Sequence, residues 1–183
     1  MMIFLFYSVF LQSTVGTMIG RDIKMRWKKF VISEGFQFYK GNKKLLVIES
    51  DFARILVRLD YAPVTRNYYP ECTIILCELE RKLAGTSDAM YNFFDFRTHE
   101  LIRQMIDDAM IYLQYECLQG VAEYSEEDFK TLLEQHRAYF FPAIKKCLTR
   151  EGFVEFCQRY PPNKMGLVCK HVAEWIRTNV TLN

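Results

Sequence analysis

The sequence predicts an all-α protein: a compact bundle of about six or seven helices with an N-terminal aromatic and basic arm, for which a short hairpin is the alternative form. Three observations lead there. Residues 98–118, THELIRQMIDDAMIYLQYECL, set apolar side chains at Leu101, Ile102, Met105, Ile106, Ala109, Met110, Leu113 and Cys117. That spacing belongs to a helix with one broad buried face. The same spacing recurs in several further stretches, and no strand–helix–strand alternation of the α/β enzyme type is visible.

Residues 1–20 read as an apolar N-terminal extension or signal-like segment. MMIFLFYSVFLQSTVG is an apolar run followed by small residues, lacks a basic start, and is too short to span a bilayer. Residues 21–183 are expected to form a single helical domain. RDIKMRWKK, residues 21–29, is a basic cluster around Trp27. In the next stretch, FVISEGFQFYKG, Gly35 and Gly41 are the punctuation of a hairpin or an irregular arm. Residues 43–60 fit a helix through Leu45, Leu46, Ile48, Phe52, Ile55, Leu56 and Leu59. A loop over 62–70 leads to a helix over 71–84 that turns Ile75, Leu76, Leu79 and Leu83 inward. Residues 90–96 are aromatic-rich and read as a connector buried under the central helix, or as a β-edge.

Thr98 suits the cap of the central helix, with Glu100 in its first turn. Gly120 suits its end. Ser125-Glu126-Glu127-Asp128 is a good helix start. Pro142 breaks or kinks that helix, or opens a new one at its first position. Thr149 can cap a short helix that buries Phe153, Phe156 and Cys157 and stops at Pro161-Pro162. Asn163 is expected to cap the last helix, with Met165, Val168, Cys169, Val172 and Ile176 inward.

Charge is unevenly placed. The net charge is +2, yet the first 50 residues hold eight Lys/Arg against three Asp/Glu. A basic end on a near-neutral body points to an anionic partner, or to a solvated surface. The six cysteines form no C-x-x-C pair; buried reduced thiols are expected, with disulfides in a secreted protein as the alternative. The sequon Asn179-Val180-Thr181 matters only in that second case.

Most chemistry is excluded. Glycine-rich phosphate loops and the G-x-S-x-G elbow are absent. Cys169-x-His171, with Cys157 upstream, is the nearest approach to a metal pair but falls short of four ligands. Asp107-Asp108 and Glu126-Glu127-Asp128 place adjacent carboxylates in different directions, which is no acid–base dyad. No enzyme activity, cofactor, metal or small-molecule substrate is therefore expected. The candidate site is a nucleic-acid grip made of Arg21, Lys24, Arg26, Lys28, Lys29, Lys40, Lys43 and Lys44, acting on phosphates without sequence preference. Trp27, Phe36, Phe38 and Tyr39 are either stacking groups for unpaired bases or core residues. Lys145, Lys146 and Arg150 could extend the same surface.

The order of segments carries a resemblance. A basic aromatic arm precedes ARILVRLD; then come TIILCELERKL, NFFDFRTHELI leading a long helix, and SEEDFKTLL. Over roughly residues 28–155 this resembles the RNA-silencing suppressors of closteroviruses, the beet yellows virus type. The resemblance implies an all-helical, oligomerising viral protein that binds small or structured RNA and blocks silencing in the host cytoplasm. Two alternatives stand beside it: a helical interaction module that engages a host protein to modulate defence, and a secreted disulfide-bonded helical protein whose residues 1–16 are a signal peptide.

Overall fold

Residues 45–48 and 53–59 are continuous apolar or alternating runs rich in Val and Ile. Such runs satisfy a helical and a strand period equally, and β-branching favours the strand. The computed structural model of the chain describes residues 22–62, 67–105 and 126–181. In it these runs are strands, and the all-α expectation is overturned. Six strands form one antiparallel sheet in which neighbours in space are neighbours in sequence. They are β1 (Gln37–Tyr39), β2 (Asn42–Glu49), β3 (Ala53–Ala62), β4 (Asn67–Leu76), β5 (Phe93–Arg97) and β6 (Gly166–Val168). The protein is thus a mixed α/β fold.

The helices are α1 over 22–33, α2 (Cys77–Leu83), α3 (Thr98–Met105), α4 (Glu126–Gln135), α5 (Phe141–Lys146), α6 (Arg150–Arg159), α7 (Pro162–Met165) and α8 (Lys170–Asn179). The helix expected over 43–60 is the β2–β3 hairpin. The helix expected over 71–84 is strand as far as Leu76 and helix only from Cys77. The connector at 90–96 supplies β5, an inner strand between β4 and β6. The hairpin considered for residues 30–39 does not form: Phe30, Val31 and Ile32 belong to α1, and residues 37–39 pair instead with β2 across a turn at Lys40-Gly41. Gly41 has φ +75°, a conformation in which glycine carries no side-chain penalty. Of the central helix only α3 lies among the described residues. Gly120 and the expected cap Ser125 lie outside them, as do residues 1–20.

Register explains the core. Val57, Cys72 and Phe96 line up with Leu46, and Ile55, Ile74 and Phe94 line up with Ile48. All but Ile48 are buried, so one sheet face is a closed apolar surface. The helices cover that face. Phe141 of α5 meets Phe30 at 5.7 Å and Phe36 at 5.4 Å, which binds α1 to the bundle. Phe156 of α6 meets Phe96 at 6.2 Å, and Phe52, Phe153 and Trp175 form a second aromatic group.

The opposite face is organised by charge. Arg54 pairs with Glu49 at 3.0 Å and Glu80 at 2.8 Å, and Arg58 pairs with Glu71 and, at 3.6 Å, Asp60. Thr73 donates to Asp95 across the strands at 2.9 Å.

Several local choices follow simple rules. Ser50 Oγ accepts from the Phe52 and Ala53 N–H groups and donates to the Leu148 carbonyl at 2.6 Å, tying the β2–β3 turn to the α5–α6 junction. Thr98 begins α3, but its buried hydroxyl donates to the Pro70 carbonyl at 3.0 Å rather than capping the helix. Between α4 and α5 the chain makes a π-helical turn, His136–Phe140, closed by Phe141 N–H donating to the His136 carbonyl. Pro142 causes it: its ring crowds the preceding turn and it offers no N–H, so the wider turn is preferred. Thr149 caps α6 by accepting from Gly152 N–H at 3.1 Å. Asn163 does not cap the last helix; Pro162–Met165 is a separate turn, and α8 starts after Cys169.

Two outcomes are expected. A β-carbon at Gly166 would run into the Asp95 carbonyl and Phe96, so Gly166→Ala should destabilise by about 1–3 kcal/mol in urea unfolding. His136 is fully buried, and burial lowers its pKa to about 3. It is neutral when folded, so its protonation opposes the fold: its contribution is complete above pH 6.5 and is lost as the pH falls toward 3. Over that window stability should fall by about 1.4 kcal/mol per pH unit from this group. His136→Phe should remove that component in unfolding measured as a function of pH.

Candidate nucleic-acid interface

α1 is helical because Ile23, Trp27, Phe30 and Val31 recur on one face and are buried there. Lys24 and Lys28, four residues apart, therefore share a side of the helix, away from that face. β2 runs beside them and brings Lys44 within range. Burial, then the charges of Lys24 and Lys44, hold the Lys28 ammonium below its ordinary pKa. The charges of Lys24 and Lys44 thus reach Lys28 from its own helix and from a neighbouring strand.

The remaining candidates divide. Lys29 lies on the exposed side of α1, and Lys43 is exposed at the start of β2. Among the described residues no carboxylate pairs with Lys28, Lys29, Lys43 or Lys44. Lys40 sits at the β1–β2 turn with its ammonium 5.1 Å from the Tyr39 ring centre. Arg26 is engaged elsewhere: it pairs with Asp22 at 3.7 Å and lies 4.8 Å over the Phe129 ring. Arg21 lies outside the described residues.

The aromatics of this stretch are mostly core. Trp27 is fully buried, and Phe30 and Phe36 are buried too, so none of the three can stack on a base. Phe38, 45% exposed, is the one large apolar side chain of the β1–β2 hairpin that faces water among the described residues.

The second basic group does not extend the patch. Lys145 and Arg137 both bond Glu34, at 3.4 and 2.9 Å; Lys146 pairs with Glu155 at 3.3 Å; Arg150 meets Glu78 at 3.5 Å and Asn179 at 2.6 Å. The Arg54 and Arg58 face is likewise neutralised by its own acids. Lys28, Lys29, Lys43 and Lys44 keep their positive charge without a carboxylate partner among the described residues.

The other polar constellations are weaker. His171 bonds Asp88 at 2.9 Å, joining α8 to the turn after α2. Cys169 is buried, with its thiol pushed up by desolvation. Among the described residues no three His, Cys, Asp or Glu side chains converge as a metal site would require. Cys72, Cys77, Cys147, Cys157 and Cys169 are free thiols, and burial pushes Cys157 up to about 12. Such thiols are protonated and poorly nucleophilic. Cys117 lies outside the described residues. No described helix is long and apolar enough to cross a membrane.

Glu34 supplies a check on the geometry at this end of the bundle. Desolvation would raise its pKa, but hydrogen bonds and charge from Arg137 and Lys145 prevail and hold it below 4.5. A depressed carboxylate stabilises above its unfolded pKa, and that contribution disappears as pH falls through the folded value. Glu34→Gln should therefore lower the urea midpoint at pH 7 and have little effect at pH 2.5. In comparisons with known proteins the chain matches no family model, no curated protein and no solved structure.

Proposed function

We propose that this protein is a non-enzymatic RNA-binding protein that grips phosphates with Lys24, Lys28 and Lys44, assisted by Lys29 and Lys43. The observation that carries the reading is the placement of Lys28, which lies within reach of the charges of both Lys24 and Lys44. Like charges held together are costly in the free protein and are relieved by an anion, and among the described residues Lys28, Lys29, Lys43 and Lys44 have no carboxylate partner. Phosphates at the spacing of a nucleic-acid backbone supply that relief, with affinity that falls as salt rises. The burial of Trp27, Phe30 and Phe36 argues for backbone contact over base stacking, and so for duplex or structured RNA.

Sequestering short duplex RNA is how such a protein would suppress silencing in a host cytoplasm. That wider role came from a resemblance that implied an all-helical fold, and the sheet removes that part of its support. The RNA reading itself rests on the lysines.

Gel shifts with short duplex RNA across a salt series test it. With about three phosphates contacted, at roughly −0.9 per phosphate, the log–log slope should be about −3. The combined Lys24→Glu, Lys28→Glu and Lys44→Glu variant should lose binding by at least about 100-fold, whereas Lys146→Glu should change it little. Unchanged affinity in the triple variant would discard this surface.

A further inference from the structure

The two edges of the sheet are defended differently. β1 carries a register break between Phe38 and Tyr39 and is followed by Lys40, Lys43 and Lys44, features that discourage pairing with another chain. β6 is uncharged: Gly166, Leu167, Val168.

Its hydrogen-bonding sense can be worked out. In an antiparallel ladder, residues alternate between bonding their neighbour and facing away. Cys169 N–H donates to the Phe93 carbonyl at 3.0 Å, and Leu167 stands opposite Asp95. Leu167 therefore turns its backbone to β5, while Gly166 and Val168 turn theirs outward. The Gly166 N–H is taken by the Pro162 carbonyl. The Gly166 carbonyl and the Val168 N–H and carbonyl remain along the outer edge, without a partner among the described residues.

A groove of about 380 Å³ opens at this place, walled by Pro162, Val168, Ala173, Ile176 and Val180. Val168 aligns with Phe94 on the helix-covered side, and Leu167, on the other side, is 62% exposed. The rim is basic. Lys164 and Lys170 are exposed on either side of the strand, and the Arg177 side chain is 78% exposed with Glu174 at 3.9 Å.

We propose that β6 takes an extended peptide segment of another protein as a seventh strand. One apolar side chain of the peptide enters the groove, and its acidic residues face Lys164, Lys170 and Arg177. An open edge supplies main-chain bonds, and alternate side chains reach the two faces, which is the established logic of strand addition. Charge selects the occupant: two copies of this chain paired through β6 would set these cations against their own kind, whereas an acidic strand complements them. The inference stands apart from the RNA reading, which uses the opposite edge of the sheet.

Fluorescence polarisation tests it with a labelled, end-capped octapeptide of alternating valine and glutamate, against the same peptide with lysine for glutamate. The full chain should bind the glutamate peptide saturably and the lysine peptide at least about tenfold more weakly. Ala173→Trp, which fills the groove from an exposed position, and Lys170→Glu should each weaken binding about tenfold, with circular dichroism unchanged. Lys28→Glu with Lys44→Glu should leave it intact. Absent saturation, equal binding of both peptides, loss only in the Lys28/Lys44 variant, or sedimentation showing copies paired at β6 with the peptide excluded would each overturn the proposal.

Discussion

The closed apolar face of the antiparallel sheet is the constraint from which the other features follow. Val57, Cys72 and Phe96 in one row, and Ile55, Ile74 and Phe94 in the next, need cover, and they are flat in sequence terms: no strand can hide its own face. Helices supply the cover, α1 from before the sheet, α4 to α7 from the stretch between β5 and β6, and α8 from after β6. Phe30, Phe36 and Phe141 close one end, and Phe52, Phe153 and Trp175 close the other. Trp27 is buried on one side of α1, and Lys28 on another side comes within range of Lys44 of β2.

That placement separates two kinds of charge. Arginines on the uncovered face sit opposite acids on adjacent strands and are consumed in cross-strand pairs, a usual way to stabilise a solvated sheet surface. Arg137, Lys145, Lys146 and Arg150 serve as ties between helices, as their carboxylate partners indicate. Among the described residues Lys28 and Lys29 of α1 and Lys43 and Lys44 of β2 do neither. A small excess of positive charge in the whole chain thereby becomes a local field, which composition alone does not express.

What was legible in the sequence is uneven, for physical reasons. Helix termini came through where a side chain governs them: Thr149 caps α6, and Pro142 marks the change of geometry before α5. The strands were misread because Leu45 to Ile48 and Ile55 to Val57 are apolar at adjacent positions, so both periods fit; β-branching and the Ser50-Asp51 turn signal were the features that favoured a hairpin. Thr98 resembled a cap, yet its hydroxyl is spent on Pro70, a partner known only once the fold is known. The lysine cluster was partly legible as a run of charge. That Lys44 comes within reach of Lys28, while Arg26 turns to Asp22 and Phe129, depends on tertiary packing and could not be read from spacing. The β6 edge was invisible, since Gly166 to Val168 fell inside a stretch that read as one helix.

The packing of α1 against β2 is open to direct measurement. Treating the intact chain with a short amine-reactive crosslinker and mapping the products by mass spectrometry reports which lysines are neighbours. A dominant link between Lys28 and Lys44, formed at low protein concentration and lost on unfolding in urea, is the expected result. A folded chain in which Lys28 links to Lys145, Lys146 or Lys164 and not to Lys44 would contradict the account.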